Sequence, residues 1–84
     1  MTEDFTKLEI AILRRMKTNK VWGKHHWRED TMKKGFPPHL RKLVMKSAKS
    51  LKRKGYLLMK PTPHGKQWYL NRNKVKKILE LTDL

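Results

Sequence analysis

The sequence predicts a small, mostly helical α+β domain, and three observations carry that expectation. Apolar residues recur at helical spacing in three separate segments. Two short aromatic and branched runs flank a stretch of turn chemistry near the C-terminal end. The 84 residues leave room for one domain, spanning 1–84, and for one modest core. At 37% hydrophobic residues the composition alone leans toward disorder, so the periodicity has to argue for the fold.

The first helix is expected over residues 7–17. Thr6 followed by Glu9 fits a capping box, and Phe5 and Ile10 stand at the staple positions around the same cap. Phe5, Leu8, Ile12 and Met16 form one stripe flanked by Ala11 and Leu13, and the pattern fades at Thr18-Asn19. Val21-Trp22 reads as a short extended piece with a turn at Gly23, and Trp27 to Lys34 as a short second helix stopped by Gly35 and Pro37-Pro38. Pro38 suits the first turn of a third helix, in which Leu40, Leu43, Val44, Ser47, Ala48 and Leu51 share the buried face and Gly55 supplies the stop. Residues 56–60 and 67–71 read as a β-hairpin around the turn-forming stretch 61–66. After the cap residue Asn71, Val75, Ile78, Leu79 and Thr82 give a last helix whose other face is Lys74, Lys76 and Lys77.

Lys and Arg number 22 against 7 Asp and Glu, a formal net charge of +15, and residues 31–79 contain no acid while holding fifteen of the basic residues. Such a distribution attracts polyanions. At 100° per residue Lys42, Lys46, Lys49 and Arg53 line the side of the third helix opposite its apolar face, with Met45 beside them and Arg41 and Lys52 on the borders. A lysine stripe is often a solvated helix face, but solvated faces normally mix signs, and this one has no neighbouring acid in sequence.

The succession of elements resembles the winged helix-turn-helix family. The resemblance covers about residues 6–79, and its most telling piece is Leu51-Lys-Arg-Lys-Gly55-Tyr56-Leu57 leading into KPTPHGKQWYLN, like a recognition helix that ends at glycine and enters the wing. Residues 35–71 are also similar to small archaeal winged-helix proteins. The resemblance implies a three-helix core with a β-hairpin wing and a C-terminal helix. It also implies that the third helix enters a DNA major groove while the hairpin follows the backbone or a minor groove. The expected contacts to duplex DNA are therefore Arg41, Lys42, Met45, Lys46, Lys49, Lys52 and Arg53 on the helix and Lys60, His64 and Lys66 on the wing. The outward residues include no Asn, Gln, Asp or Glu, so broad preference is expected, with Arg41 and Ser47 or Ser50 as the candidates for base reading. Members of the family commonly form homodimers through their terminal helices, here helix 1 or residues 74–84, and the sequence leaves that open.

Other constellations read as structural. Cysteine is absent, which excludes thiolate metal sites and cysteine nucleophiles. His25, His26, His39 and His64 lack the spacing and partner ligands of a metal site, so no metal or cofactor is expected. Trp22, Trp27 and Trp68 are expected in the core, with Met16, Met32, Met45 and Met59 filling gaps, although an exposed Met45 among the lysines would touch a groove wall or a thymine methyl. Glu29 and Asp30 suit the start of the second helix and lack a nucleophile, so no enzyme is expected. The longest apolar runs are four residues, and the acidic N-terminus differs from a secretory signal, so a cytoplasmic, nucleoid-associated location without a membrane partner is expected. These readings converge on a transcription regulator or a chromatin-like DNA-associated factor. An RNA-binding or ribosome-associated module and a protein-interaction domain are the alternatives.

Overall fold

The computed structural model describes residues 4–23 and 25–82. The acidic start at 1–3, Lys24 in the stretch after helix 1, and residues 83 and 84 at the end of the expected pairing segment lie outside the described residues. Among the described residues, four α-helices pack with a three-stranded antiparallel sheet. In chain order these are α1 (Lys7–Thr18), β1 (Trp27–Arg28), α2 (Glu29–Lys34), α3 (Arg41–Lys54), β2 (Leu57–Thr62), β3 (Gly65–Leu70) and α4 (Val75–Thr82). Short 3-10 turns at Pro38–Leu40 and Arg72–Lys74 lead into α3 and α4.

The capping box forms as expected: Glu9 N–H donates to Thr6 Oγ1 at 3.1 Å and Thr6 N–H to Glu9 Oε1 at 2.8 Å. The buried face of α1 is Glu9, Ile12, Leu13 and Met16, while Phe5 and Leu8 are only partly covered. Glu9 is tolerated in that stripe because Lys54, at the end of α3, meets its Oε2 at 3.1 Å. The Phe5 ring stands edge-on to Tyr56, with centroids 5.1 Å apart.

Trp27 and Arg28 correct the expected helix 27–34. They form an edge strand, Trp27 opposite Trp68 and Arg28 opposite Gln67, and α2 starts only at Glu29. A six-residue helix is weak by itself, whereas β3 offers unpaired backbone groups, so pairing wins the first two residues. The hairpin is likewise longer than its aromatic runs: strand pairing continues through Pro61 and Thr62 to Gly65 and Lys66, leaving only Pro63 and His64 as the turn. Pro61 can join because the sheet order β1-β3-β2 makes β2 an edge, where its missing N–H disrupts no ladder. Thr62 Oγ1 ties the turn by donating to Gly65 O at 2.6 Å.

Two glycines stand at helix ends for different reasons. Gly55 has φ 90°, and the bonds Tyr56 N–H to Leu51 O (2.9 Å) and Gly55 N–H to Lys52 O (3.0 Å) form a Schellman motif. Gly35 keeps an ordinary φ of −75°; what it supplies is space, since a methyl there would overlap the Arg15 guanidinium. That guanidinium lies over the Trp27 ring, 5.4 Å from its centroid.

The core runs from Ile12, Leu13 and Met16 through Val44, Ala48 and Leu51 to Trp68, Leu70 and Ile78. Trp27 and Trp68 are buried, while Trp22 is half-buried and bridges to Leu70. Two apolar faces are narrower than expected. On α3, Val44, Ala48 and Leu51 are buried, but Leu43 is 51% exposed, while Glu9 of α1 meets the flank that carries Ser50 and Lys54. On α4, Ile78 and Thr82 are buried while Val75 (42%) and Leu79 (45%) face solvent, because the helix meets α1 along the line of Ile78, Leu81 and Thr82. Arg14 Nε seals that contact by donating to Thr82 O.

Candidate nucleic-acid interface

Burying Val44, Ala48 and Leu51 turns the other side of α3 outward. Arg41, Lys42, Lys46, Lys49, Lys52 and Arg53 are all exposed there, and Met45 is half-buried among their stems. Three adjoining depressions extend this face beyond the helix. The first, about 520 Å³, lies between α2 and α3, lined by Asp30, Lys33 and Lys34 on one side and by Arg41, Lys42, Met45, Lys46 and Lys49 on the other. The second, about 480 Å³, lies between α3 and the hairpin, lined by Lys49, Lys52 and Arg53 and by Glu29, Met59, Lys66 and Trp68. The third, about 160 Å³, joins the start of α2 to the hairpin tip and includes Arg28, His64 and Lys66. Lys49 belongs to the first two and Lys66 to the last two, so the depressions form one surface.

Nine of the ten residues expected from the sequence line that surface. Lys60 is the exception. Register pairs Met59 with Trp68 and Pro61 with Lys66 on the face toward α3, which puts Lys60 and its partner Gln67 on the other face. Lys33 and Lys34 are additions that the sequence reading passed over. They lie in the acid-free stretch, but a six-residue helix shows too little periodicity to place its side chains.

The fold sorts the cations into two groups. Lys54 is paired with Glu9, Arg15 lies over Trp27, and Lys74, expected on the outer face of the last helix, sits over the Tyr56 ring at 5.4 Å. The cations of the α3 face have no such engagement: among the described residues the one ion pair is Glu9–Lys54. The acid-free stretch nevertheless folds back on Glu29 and Asp30, which enter the depressions from the start of α2. Glu29 Oε1 accepts from Trp68 Nε1 at 3.1 Å, which orients the carboxylate beside the hairpin.

The chain matches no family model, no curated protein and no solved structure.

His26, adjacent to this region in sequence, is held between Gly23 O and Gln67 Oε1 and stacks on Tyr69 at 4.5 Å, a packing role at the sheet edge. Among the described residues no three His, Asp or Glu side chains gather as a metal-ligand set. Among them, too, no helix is long and apolar enough to cross a membrane. What the α3 surface offers is a row of exposed, unpaired ammonium and guanidinium groups on a rigid helix, an arrangement suited to a ligand with repeated negative charges.

Proposed function

We propose that the chain is a winged-helix DNA-binding protein, acting in transcription regulation or as a DNA-associated architectural factor, with α3 and the hairpin as its contact surface. The element order supports this reading: helix, edge strand, short helix, long basic helix and hairpin follow one another as a winged helix requires. The observation that carries it is the unpaired state of the cations that share one continuous face. A phosphate backbone satisfies such a row at once, and each contact adds counterion release. Lys33 and Lys34 widen the footprint beyond α3 and supply contacts to a strand running past α2. Base selection on this surface is weak by composition, since Lys reaches bases less specifically than a planar, two-pronged group does.

A mobility-shift series on duplex DNA tests the reading. With six to eight phosphate contacts, affinity falls by about 10³- to 10⁴-fold between roughly 50 and 200 mM salt. Replacing Lys42, Lys46 and Lys49 together with Glu abolishes the shift while the circular dichroism spectrum is kept, because all three side chains are exposed. Lys66→Ala weakens binding and Lys60→Ala leaves it nearly unchanged, following the two faces of the hairpin. A weak shift insensitive to salt, or one untouched by the triple substitution, overturns the proposal.

A further inference from the structure

The cleft between α3 and the hairpin differs from the rest of the basic face. Its volume of about 480 Å³ lies within the range of small-molecule sites, about 300–1,000 Å³. Its floor is apolar, made by half-buried Met59 and the edge of buried Trp68, while Lys49, Lys52, Arg53 and Lys66 stand exposed around its rim. One acceptor lies among them. The Glu29 carboxylate lines the cleft with Oε1 tied to Trp68 Nε1, and among the described residues no Lys or Arg pairs with it although four line the same cleft. The carboxylate holds Trp68 and starts α2, but in a cationic cleft its negative charge repels a ligand that is phosphate alone.

An apolar floor, a fixed carboxylate and a cationic rim have complementary chemistry in a single molecule: a nucleotide whose base offers hydrogen-bond donors. A carboxylate accepts through two oxygens side by side. Guanine is the standard base that presents two adjacent donors, N1–H and the 2-amino group, on its pairing edge. Adenine and cytosine set a ring acceptor beside their amino group, and uracil flanks its single N–H with carbonyls, so each places a repulsive atom against one carboxylate oxygen. We infer that the cleft between α3 and the hairpin binds one guanine nucleotide, with Glu29 accepting from the base and Lys49, Lys52, Arg53 and Lys66 taking the phosphates. In a base-paired duplex the guanine edge is occupied, so the ligand is a free nucleotide or an unpaired nucleotide within a strand. The inference goes beyond duplex binding and stands or falls without it.

Calorimetric titration of the full chain with GDP, IDP, ADP, CDP, UDP and pyrophosphate tests it. GDP binds about 5- to 150-fold more tightly than ADP, CDP or UDP, the discrimination typical of a two-bond base contact. IDP, which lacks the 2-amino group, falls between them and needs no variant. Glu29→Gln keeps an acceptor for Trp68 but offers an amide in place of the second oxygen; GDP loses its advantage over ADP, while pyrophosphate binds at least as tightly as before because a repelling charge is gone. A short oligothymidine strand with and without one guanine separates the sources: a guanine effect that Glu29→Gln removes places the ligand within a strand, and an effect confined to GDP makes it diffusible. Equal binding of all nucleotides and pyrophosphate, equal binding of GDP and IDP, or a GDP preference that survives Glu29→Gln overturns the inference.

Discussion

The Glu9 carboxylate accepts from Thr6 N–H and from Lys54 Nζ while only 3% of the residue is exposed, so it links the start of α1 to the end of α3. Burial pushes its pKa up, but the Thr6 N–H, the Lys54 ammonium and the Ser50 hydroxyl together outweigh that and hold it below the ordinary value of 4.5. The folded state therefore binds this proton less readily than the unfolded chain does. Its stabilisation is complete above the ordinary carboxyl pKa and is lost as the pH falls through the lowered value. Glu9→Gln should lower stability near neutrality by about 1–3 kcal/mol, the scale of a hydrogen bond to a charged group. Below the lowered value the variant and the parent should converge, and urea titrations at neutral and acid pH measure both ends. A difference that persists undiminished in acid would show that the carboxylate's charge contributes nothing. Glu29 is the contrasting acid: it accepts from Trp68 Nε1, and among the described residues no cation pairs with it.

At the level of elements, α3 depends on how it ends. Gly55 at φ 90° lets the chain leave the helix and enter β2 directly, and the Schellman bonds satisfy the carbonyls of Leu51 and Lys52. An alanine there meets no close contact, the nearest atom being Lys74 Cε at 3.7 Å, so its cost is the left-handed backbone alone. Gly55→Ala should destabilise by about 1–2 kcal/mol, a fall in melting temperature of at least ~4 °C for a domain of this size. No change would mean that the junction relaxes to another turn, and the angle between α3 and the hairpin with it. That junction and the capping box of α1 are legible in sequence because each depends on residues within a few positions of one another. The edge strand at Trp27–Arg28 is not, because its cause is β3, some forty residues away. Leu43 and Leu79 misled for a related reason: periodicity identifies an apolar face, whereas its covered width depends on the neighbouring helix.

On the scale of the whole molecule, a net charge of +15 sits on a body with a radius of gyration of 12.0 Å. The Debye length at about 0.1 M salt is close to 10 Å, so at low ionic strength the cations repel one another across much of the domain. That repulsion opposes folding. The melting temperature of the free protein should therefore rise as salt is added from about 0.02 to 0.5 M, in the range where screening shortens from tens of ångströms to a few. Calorimetric melts across that series check it, and a flat or falling curve would show that the unpaired face costs the fold nothing. Salt would then act in opposite directions on folding and on duplex binding, as expected when one set of cations opposes the fold and attracts the ligand.

Local pattern and composition were enough to establish a mostly helical α+β chain, the caps of α1 and α3, the basic face of α3 and the acid-free stretch that feeds it. Nearest-neighbour chemistry and helical phase decide those features, and both are written in consecutive residues. Tertiary structure alone decided which cations are spent on packing and which stay free, that Lys60 turns away from Lys66, and that Glu29 enters the basic cleft. The reason is that a side chain's partners are chosen by strand register and by the packing of distant elements. Lys54 and Arg53 are adjacent in the chain, yet one closes the core edge against Glu9 and the other faces the cleft.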